Sequence, residues 1–401
     1  MNKPLMPSWK VWRFDQIATN VNVRIDNPSE SGMEHYVGLE HLDSDSLKIR
    51  RWGTPDDVEA TKLMFKKGDI IFGRRRAYQR KLGVAEFDGI CSAHAMVLRA
   101  KSDVVLPEFL PFFMQSDLFM KRAVEISVGS LSPTINWKTM ALQEFALPLM
   151  EEQRRILELL LAIEDERDAL EIARQVGKET EKVILAHAIR GAMHSGTRTV
   201  KDSRFGPVPG DWDVVPISQV ATVAYGISES VASNKDPSIG WPILTGANIT
   251  LDGTLDFSKA VYIAEPKKEN FILRTGDLLL NWRSGSEEHV GKTAIFGKDE
   301  SYTYASFILR IRPDERMNRR FLWRLLNHMR EFRLFGSSTS QQVNFKMNAA
   351  MFRDVEVVCP PRDVQDEIVN LLSTVWDALE TVAERQDKTG ALKQRSLEGG
   401  L

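Results

Sequence analysis

The sequence predicts an α+β protein built from two similar halves, each a β-containing module followed by a long helix. Two observations support this prediction. Motifs of the first half return about 208 residues later, and self-similarity at a fixed distance indicates a duplicated architecture. Each half also ends in a long segment with apolar residues at heptad spacing, which is typical of helices that pack lengthwise.

The composition is typical of a globular chain with more than one domain. The 401 residues exceed one ordinary core, and 43% of them are hydrophobic while 27% are charged. No apolar stretch approaches the roughly 18 residues that span a bilayer, and the first residues lack the apolar core of a signal peptide. Cys91 and Cys359 lie too far apart to indicate a disulfide framework or a zinc site. We therefore expect a cytoplasmic protein without metal and without membrane contact.

Each half is expected to begin with a strand-rich module, because three of its segments recur in the same order. The matched pairs are SWKVWRFDQIA at 8–18 with DWDVVPISQVA at 211–221, FKKGDIIFGR at 65–74 with LRTGDLLLNWR at 273–283, and the segment from Ile135 with the segment from Val343. The last pair aligns Asn136 with Asn344, Lys138 with Lys346, and Gln153 with Gln365. A Gly-Asp pair followed by three apolar residues recurs as a strand signal in both halves.

Charge is distributed unevenly along a chain whose net charge is only −2. Residues 62–81 hold eight Lys or Arg against one Asp, whereas residues 151–171 hold eight carboxylates against three Arg. The basic segment includes FGRRRAYQRKLG at 72–83, directly behind an apolar strand signal. Arginines on a loop often form only a solvated face, yet the guanidinium fork also matches phosphate groups and the guanine edge. The residues alone leave both interpretations open.

The two long helices follow prolines, at Pro148 and at Pro360, and carry acidic residues near their starts, where the helix dipole favours them. The heptads predict helix-to-helix packing by Ile156, Leu159, Ile163, Leu170 and Ala173 in the first helix and by Ile368, Leu371, Val375 and Val382 in the second. Helices of about 35 to 40 residues would reach about 50 to 60 Å, which exceeds one turn of duplex DNA. The pattern fits either a plain packed hairpin, a dimerising coiled coil or a spacer between two modules.

Motifs for catalysis fail on inspection. A DNA adenine methyltransferase requires Asn or Asp before Pro-Pro and an aromatic residue after it, whereas here Cys359 precedes and Arg362 follows. Gly291-Lys292-Thr293 resembles the end of a phosphate-binding loop, but Ser286 stands where that loop requires glycine. Neither motif therefore indicates methyl transfer or ATP binding by this chain.

Taken together, these motifs resemble the specificity subunits of type I DNA restriction-modification enzymes. The resemblance covers the entire chain and rests on GDIIFG and GDLLLN, the GRRRAYQRK loop followed by FDGICSAHAMVLR, the turns GSLSPTINW and GSSTSQQVNF, and the helix starts LPLMEEQRRI and CPPRDVQDEI. It implies target-recognition domains at 1–147 and 199–358, each on curved mixed β-sheets, and spacer helices at 148–198 and 359–401 that pair antiparallel.

The resemblance also implies a division of labour. Each domain would read one half of an asymmetric bipartite target in double-stranded DNA, while the helices set the gap and dock two modification subunits. Methyl transfer from S-adenosylmethionine to adenine, and cleavage driven by ATP and Mg²⁺, would belong to the modification and restriction subunits, so no cofactor is expected in this chain. The alternatives are a coiled-coil adaptor and a self-contained DNA-modifying enzyme.

Candidate DNA contacts lie on two polar loops in each half, where cations, amides and hydroxyls suit phosphates and base edges. In the first half they are Arg74, Arg75, Arg76, Tyr78, Gln79, Arg80, Lys81 and Lys138. In the second half they are Asn281, Arg283, Ser284, Ser286, Lys292, Ser337, Thr339, Gln341, Gln342 and Lys346. The second set is less basic and adjoins Glu287 and Glu288, which predicts that the halves read different bases.

Overall fold

The protein is described by a computed structural model that covers residues 9–191, 199–228, 240–263, 269–335, 345–346 and 348–397. The chain divides into two compact units, Met1–Ile172 with Ala383–Leu401 and Ala173–Val382. Each unit therefore contains a module together with a stretch of both long helices. Helices and sheets occur in both units, which confirms the predicted α+β class at the level of mixed secondary structure.

The helices range from single turns in the modules to two of more than 35 residues. They are α1 (Phe14–Ile17), α2 (Phe109–Gln115), α3 (Asp117–Glu125), α4 (Trp137–Ala141), α5 (Met150–Ala188), α6 (Arg319–Glu331), α7 (Ala349–Arg353) and α8 (Arg362–Leu397). The long helices α5 and α8 have 39 and 36 residues. No helix in the described part of the chain combines the length and apolar character that a bilayer span needs.

The strands are short, and the first unit holds ten of them among its described residues. They are β1 (Lys10–Arg13), β2 (Ala18–Val21), β3 (Arg24–Ile25), β4 (Tyr36–Val37), β5 (Lys62–Phe65), β6 (Ile70–Gly73), β7 (Leu82–Val84), β8 (Gly89–Cys91), β9 (Ala95–Ala100) and β10 (Glu144–Leu147). One sheet has the order β2-β9-β6-β7 and is antiparallel throughout. A second sheet, β3-β5-β8-β4, is mixed because β4 and β8 run parallel.

The described strands of the second unit form an antiparallel sheet of the same order and a smaller mixed sheet. They are β11 (Val200–Lys201), β12 (Val208–Pro209), β13 (Asp213–Pro216), β14 (Ala221–Tyr225), β15 (Trp241–Leu244), β16 (Val261–Ile263), β17 (Leu278–Asn281), β18 (Arg283–Ser284), β19 (Thr293–Ile295), β20 (Thr303–Tyr304), β21 (Ile308–Pro313), β22 (Phe345–Lys346) and β23 (Glu356–Cys359). The antiparallel sheet β14-β21-β17-β19 matches β2-β9-β6-β7 strand for strand in chain order. The mixed sheet β16-β15-β20 pairs β15 and β20 in parallel.

The repeated Gly-Asp motif has one physical explanation in both units. Gly68 and Gly276 adopt φ angles of +87° and +96°, which L side chains rarely adopt. Each following aspartate is 1% exposed and accepts both hydrogen bonds of an arginine fork, from Arg99 at 2.7 and 2.9 Å or from Arg312 at 2.6 and 2.7 Å. The glycine therefore makes the turn, and the carboxylate ties the strand it starts to its neighbour in the sheet.

The apolar run after this motif is continuous because both faces of its strand are buried. In β6, Ile70 and Phe72 pack into one hydrophobic cluster while Ile71 packs into another. In β17, Leu278 and Leu280 likewise face one cluster and Leu279 faces a second. Successive side chains of a strand point to opposite faces, so a strand between two cores needs apolar residues at every position.

A fully buried glutamine in the first turn of each long helix joins that helix to its module. Gln153 accepts from the Leu106 backbone N–H at 2.9 Å and donates to the carbonyl oxygens of Val104 and Pro148 at 3.1 and 2.9 Å. These partners lie between β9 and α2 and just before α5. The sequence repeat aligned this residue with Gln365 but gave no reason for either amide.

Gln365 makes the same three contacts in the second unit. Its side chain accepts from the Asn318 N–H at 2.7 Å and donates to the carbonyl oxygens of Arg316 and Pro360 at 2.8 and 2.7 Å. The partners again lie between the last sheet strand and the next helix, and just before α8. All three contacts reach backbone atoms, so they depend on the path of the chain and not on the neighbouring side chains.

The predicted heptad register is half correct. The first predicted positions of each heptad are buried or half-buried, as at Ile156, Ile163, Leu170, Ile368, Val375 and Val382. The second predicted positions are one residue too early: Ala173 and Leu371 are exposed and Leu159 is only half-buried. The neighbours Leu160 and Leu372 are 0% exposed instead.

The register error has a physical cause. Leu159, Leu160 and Leu161 are consecutive, so apolar character alone cannot tell which of them faces the core. The next positions at heptad spacing after Leu160 are Arg167 and Arg174, and both are half-buried. Because their side chains end in a charged group, a pattern of apolar residues does not include them. The stripe was therefore invisible to a search for apolar residues.

Contacts between the two long helices run in opposite chain directions within each unit. In the first unit, Lys393 donates to Glu164 at 2.9 Å, and Gln386 donates to Glu171 at 3.0 Å. In the second unit, Trp376 donates to Glu181, and the open space above the Gly177 backbone is filled by Leu379, which lies 2.7 Å from where a β-carbon would be. In both units, later residues of α5 thus face earlier residues of α8.

A buried ion pair anchors the module of each unit to these helices, with different chemistry. In the first unit, the Lys393 ammonium, 4% exposed as a residue, also donates to Gln115 of α2 at 2.5 Å and lies 5.6 Å from the Phe112 ring. In the second unit, Arg324 of α6 pairs with Glu181 at 2.7 Å, and both side chains are less than 10% exposed. Burial lowers the pKa of Lys393, while the adjacent Glu164 carboxylate opposes that effect.

Two pairings inferred from the sequence repeat are wrong. Asn136 caps α4 by accepting from the Lys138 N–H at 3.0 Å, and β10 begins eight residues after it at Glu144. In the second unit the cap of α7 is Asn348, which accepts from the Met351 N–H at 2.9 Å, and β23 begins at Glu356. Asn136 therefore corresponds to Asn348 and not to Asn344. Lys138 and Lys346 consequently do not occupy equivalent positions.

Replacing Gln153 with Ala should destabilise the first unit by about 1–3 kcal/mol, because the Leu106 N–H would stay buried without a partner. Hydrogen exchange followed by mass spectrometry should show faster exchange around residues 104–106 and no change around residues 316–318. Gln365→Ala should give the reverse pattern. Gln175, an exposed glutamine of α5, supplies the matched control, and its replacement should change neither segment. Equal exchange in all three variants would contradict the role of the two buried amides.

Candidate nucleic-acid interface

The arginine loop of the first unit and the polar loop before α4 form one surface. The Arg75 and Arg76 guanidinium groups both donate to the Ser132 hydroxyl, at 3.0 and 3.1 Å. The backbones are joined as well, since the Arg76 N–H donates to Pro133 at 2.7 Å and the Ile135 N–H donates to Arg74 at 2.9 Å. The two loops, about 55 residues apart in sequence, thus present their cations and hydroxyls together.

The rim of this surface is strongly basic. Arg74 is half-buried and donates to the Ala93 carbonyl at 3.0 Å, and Arg75 lies 3.4 Å from the His94 ring nitrogen. Burial and the neighbouring Arg75 and Arg74 lower the pKa of His94, so this ring is neutral at pH 7. Arg76 and Tyr78 are exposed, with Tyr78 at 56%, and Gln79 is half-buried. Lys138, in the first turn of α4, is also exposed.

Two cations predicted to contact DNA make contacts within the first unit. Arg80 pairs with Asp45 at 2.5 Å and Asp117 at 3.0 Å and donates to the Gln115 carbonyl at 2.6 Å. Lys81 donates to the Leu39 carbonyl at 2.6 Å. Both side chains are thus held within the first unit, and their contact with DNA stays a prediction. The basic segment also contains Lys62, which is 8% exposed.

A cleft beside the arginine loop contains polar residues that the sequence reasoning missed. It encloses about 170 Å³ and is lined by Asn20, Asn22, Arg24, Thr61, Arg74 and Trp137 among others. The signal was present in the sequence, because NVNVR places Asn20, Asn22 and Arg24 at every second position and hence on one face of extended chain. Amides and a guanidinium on one face are groups that form hydrogen bonds with base edges.

The second unit joins its two corresponding loops through a strand pair. Arg283 pairs with Lys346 and Ser284 with Phe345, which connects the loop after β17 to the segment before α7. Arg283, Ser284 and Ser286 are half-buried, and the Ser284 hydroxyl accepts from the Ser286 N–H at 3.3 Å. The Lys346 backbone therefore lies beside the loop. The predicted contacts Ser337, Thr339, Gln341 and Gln342, and the Lys346 side chain, lie outside the described residues.

Asn281 and Lys292, both predicted to contact DNA, are largely buried beside this loop. Asn281 is 3% exposed, and its amide donates to the His289 carbonyl at 2.9 Å, closing the loop that follows. Lys292 is 5% exposed and donates to the carbonyl oxygens of Gly246 and Ile249 at 3.1 and 2.5 Å. Burial and the nearby Arg330 lower the pKa of Lys292. Both residues shape the loop from within.

A wider cleft lies next to this loop. It has a volume of about 520 Å³ and is lined by Thr245, Thr250, Lys259, Arg283, His289 and Phe307 among others. Sequence reasoning singled out four of the lining residues, Asn281, Arg283, Ser284 and Lys292. It missed Lys259 and Phe307, because neither belongs to a polar or basic run. Phe307 directly precedes β21, as His94 directly precedes β9, so the matched strand order would have placed both at the same rim.

Comparison with known proteins gives a match to both halves. Residues 29–176 and 209–388 each match the family described as type I restriction modification DNA specificity domain, which covers more than half of the chain. The chain belongs to this family.

Similar proteins carry corresponding names. The type I restriction enzyme MjaX specificity subunit of Methanocaldococcus jannaschii is 28% identical over 210 residues, 50% of this chain and 48% of its own length. The EcoDI specificity subunit of Escherichia coli is 29% identical over 198 residues, 47% of this chain and 44% of its own length. The matched region thus spans about half the length of these curated relatives.

A solved structure supports the fold. A chain from a study of complex assembly and conformational transition in the type I R-M system has a TM-score of 0.58 and 21% identity to this chain, with 100% of both covered. At 21% identity, this structural similarity is evidence for a shared fold. The mixed helix and sheet architecture of this chain therefore occurs in a solved structure.

Replacing Arg80 with Ala should destabilise the first unit by about 1–3 kcal/mol, because it removes charge-assisted hydrogen bonds to two carboxylates and a carbonyl. Arg76→Ala is the matched control: the side chain is exposed and the residue, like Arg80, has a positive φ, so its replacement should cost less than about 0.5 kcal/mol. Urea unfolding monitored by tryptophan fluorescence measures both. Equal stabilities of the two variants would contradict the structural role of Arg80.

Proposed function

We propose that this chain is the DNA sequence-specificity subunit of a type I restriction-modification complex. Its modules, residues 1–147 and 199–358, each read one half of an asymmetric bipartite target in double-stranded DNA. The helices at 148–198 and 359–401 form an antiparallel coiled coil that sets the gap between the half-sites. A cytoplasmic location is part of this proposal, because such a complex acts on DNA.

The observation that carries this proposal is the match of both halves to one DNA specificity family, combined with the same loop arrangement in each. In both units, a loop behind the central sheet strand is joined to a second polar loop before a short helix. Cations and hydroxyls held together in this way suit contacts to phosphates and base edges. Two such surfaces with different side chains favour two different half-sites.

The helices have the dimensions of a spacer. At about 1.5 Å per residue, a helix of 39 residues is about 58 Å long, which exceeds one turn of B-DNA. Exposed apolar residues on α5, including Leu161 at 48%, Ile172 at 66% and Val176 at 58%, offer a surface for further subunits. We assign two modification subunits to this helical region.

Catalysis belongs to the partners in this proposal. The modification subunits would transfer a methyl group from S-adenosylmethionine to adenine, and the restriction subunits would use ATP and Mg²⁺ for translocation and cleavage. This chain supplies recognition without a cofactor of its own. The assembled complex, and not this subunit, would be the site-specific deoxyribonuclease and adenine methyltransferase.

Exchanging residues 1–147 for the equivalent module of a related subunit should change one half of the methylated motif and leave the other half intact. The exchange is feasible because Gln153 holds the module through the backbone of Val104 and Leu106, which any donor supplies. The donor should keep a glutamine at position 115, because Lys393 requires this partner in the core.

The readout is single-molecule sequencing of methylated adenines in a host that expresses the hybrid with the modification subunits. Exchange of residues 199–358 is the matched control and should alter the opposite half of the motif. If either hybrid changed both halves together, the modules would not read independently and the proposal would fail.

A further inference from the structure

The second unit carries an aromatic ridge at its candidate interface. Tyr225, Trp282 and Phe307 contact one another edge to face, with ring centroids 5.5 Å apart for the first pair and 6.1 Å for the second. Phe307 is 48% exposed and Tyr225 is 41% exposed. Large apolar side chains exposed side by side mark surfaces that contact another molecule.

The ridge is held in place by hydrogen bonds at both ends. The Tyr225 hydroxyl accepts from the Ala349 N–H at 2.6 Å, and the Trp282 indole donates to the Ser306 carbonyl at 2.6 Å. The backbone N–H of Trp282 donates to the Phe307 carbonyl at 3.2 Å. These contacts fix the backbone of Phe307 and the two rings beside it.

Arg283 completes the surface. Its guanidinium lies 5.1 Å from the centre of the Phe307 ring, a cation–π distance, and both residues line the cleft of about 520 Å³ next to the loop. The neighbouring ring restricts the guanidinium. No side-chain hydrogen bond from Arg283 occurs among the described residues, so its fork can bind a planar acceptor. An apolar ring and a cationic fork are thus fixed side by side.

The first unit has different chemistry at the same places. His94 precedes β9 as Phe307 precedes β21, and Arg74 follows β6 as Trp282 follows β17. Polar groups that donate or accept hydrogen bonds occupy the first framework where aromatic rings occupy the second. The two antiparallel sheets have the same strand order. Because the side chains at these matched positions differ, we expect the two surfaces to contact different chemical groups.

We propose that Phe307 and Arg283 read adjacent base pairs in the major groove of the second half-site, with the ring on a thymine methyl group and the guanidinium on a guanine. The major groove alone presents the thymine C5-methyl group, which apolar side chains such as Phe contact, and the O6 and N7 acceptors of guanine, which Arg binds as a fork. Phe307 is covered on one side by Arg283, which suits contact along a groove better than insertion between bases. This inference rests on the proposed function and adds the chemistry of one subsite.

The test uses the full chain assembled with its modification subunits and a duplex that carries the methylated motif. Each thymine of the second half-site is replaced in turn by deoxyuridine, which lacks only the methyl group. For the unaltered protein, one replacement should weaken binding about fourfold, the effect of one buried methyl group. For Phe307→Ala, binding should be weaker overall and insensitive to that same replacement.

Two further variants keep the result interpretable. Phe332→Ala removes another exposed phenylalanine of the second unit, 53% exposed, and should retain the full sensitivity to the methyl group. Phe307→Leu keeps an apolar side chain and should retain part of it, which separates loss of the contact from loss of folding. For the guanine, 7-deazaguanine should weaken binding by the unaltered protein and leave binding by Arg283→Ala unchanged.

Several outcomes would overturn the inference. They are a second half-site without thymine, no effect of any methyl deletion on the unaltered protein, and an equal effect in Phe307→Ala. Loss of modification subunits from Phe307→Ala with the methyl effect intact would instead assign the ridge to a protein partner. Failure of the proposed function would look different, because the assembled complex would then bind all duplexes equally.

Discussion

In each unit, the hydrogen bonds of one buried glutamine connect the module to the long helix that follows it. A primary amide offers two donors and one acceptor in a plane, and Gln153 and Gln365 each use all three on backbone groups. Backbone partners impose no requirement on neighbouring side chains, so the surface loops of a module are free to differ while the joint stays the same. Because a buried N–H without a partner is costly, the joint fixes the angle at which the helix leaves the module. The position of every candidate contact relative to the helices depends on it.

In each unit, a buried cation also links the module to the long helices, but the residues that form this link differ between the units. In the first unit a lysine of α8 meets a glutamate of α5 and an amide of the module, whereas in the second unit an arginine of the module meets a glutamate of α5. A buried cation is tolerated only with a partner, so each junction accepts one arrangement of charges. The halves resemble each other in backbone and are not interchangeable at their cores.

Sequence reasoning found the duplication, the apolar sheet strands and the two loops that meet in each unit, because these depend on local patterns. It did not find the internal partners of individual cations, because these partners come from distant parts of the chain. Arg80 looks like its neighbours in RRRAYQRK, yet Asp45 and Asp117, 35 and 37 residues away, hold it in place. Lys292 similarly meets carbonyl oxygens more than 40 residues away. The helix register failed for a related reason, because the positions at heptad spacing after Leu160 are Arg167, Arg174 and Glu181, which are charged and not apolar.

The central claim is that the helices set the distance between two independent readers, and one measurement tests it directly. Seven residues are inserted after Arg174 and after Val382, points bracketed by the Glu171–Gln386 contact of the first unit and the Gly177–Leu379 contact of the second. The insertion adds about 10 Å, close to three base pairs, and keeps the buried stripe because it is a whole heptad. Three base pairs also turn DNA by about 100°, so binding should weaken while it relocates. Mapping of methylated adenines should give the same two half-sites with a gap about three base pairs longer, and methylation retained at the original gap would contradict the account.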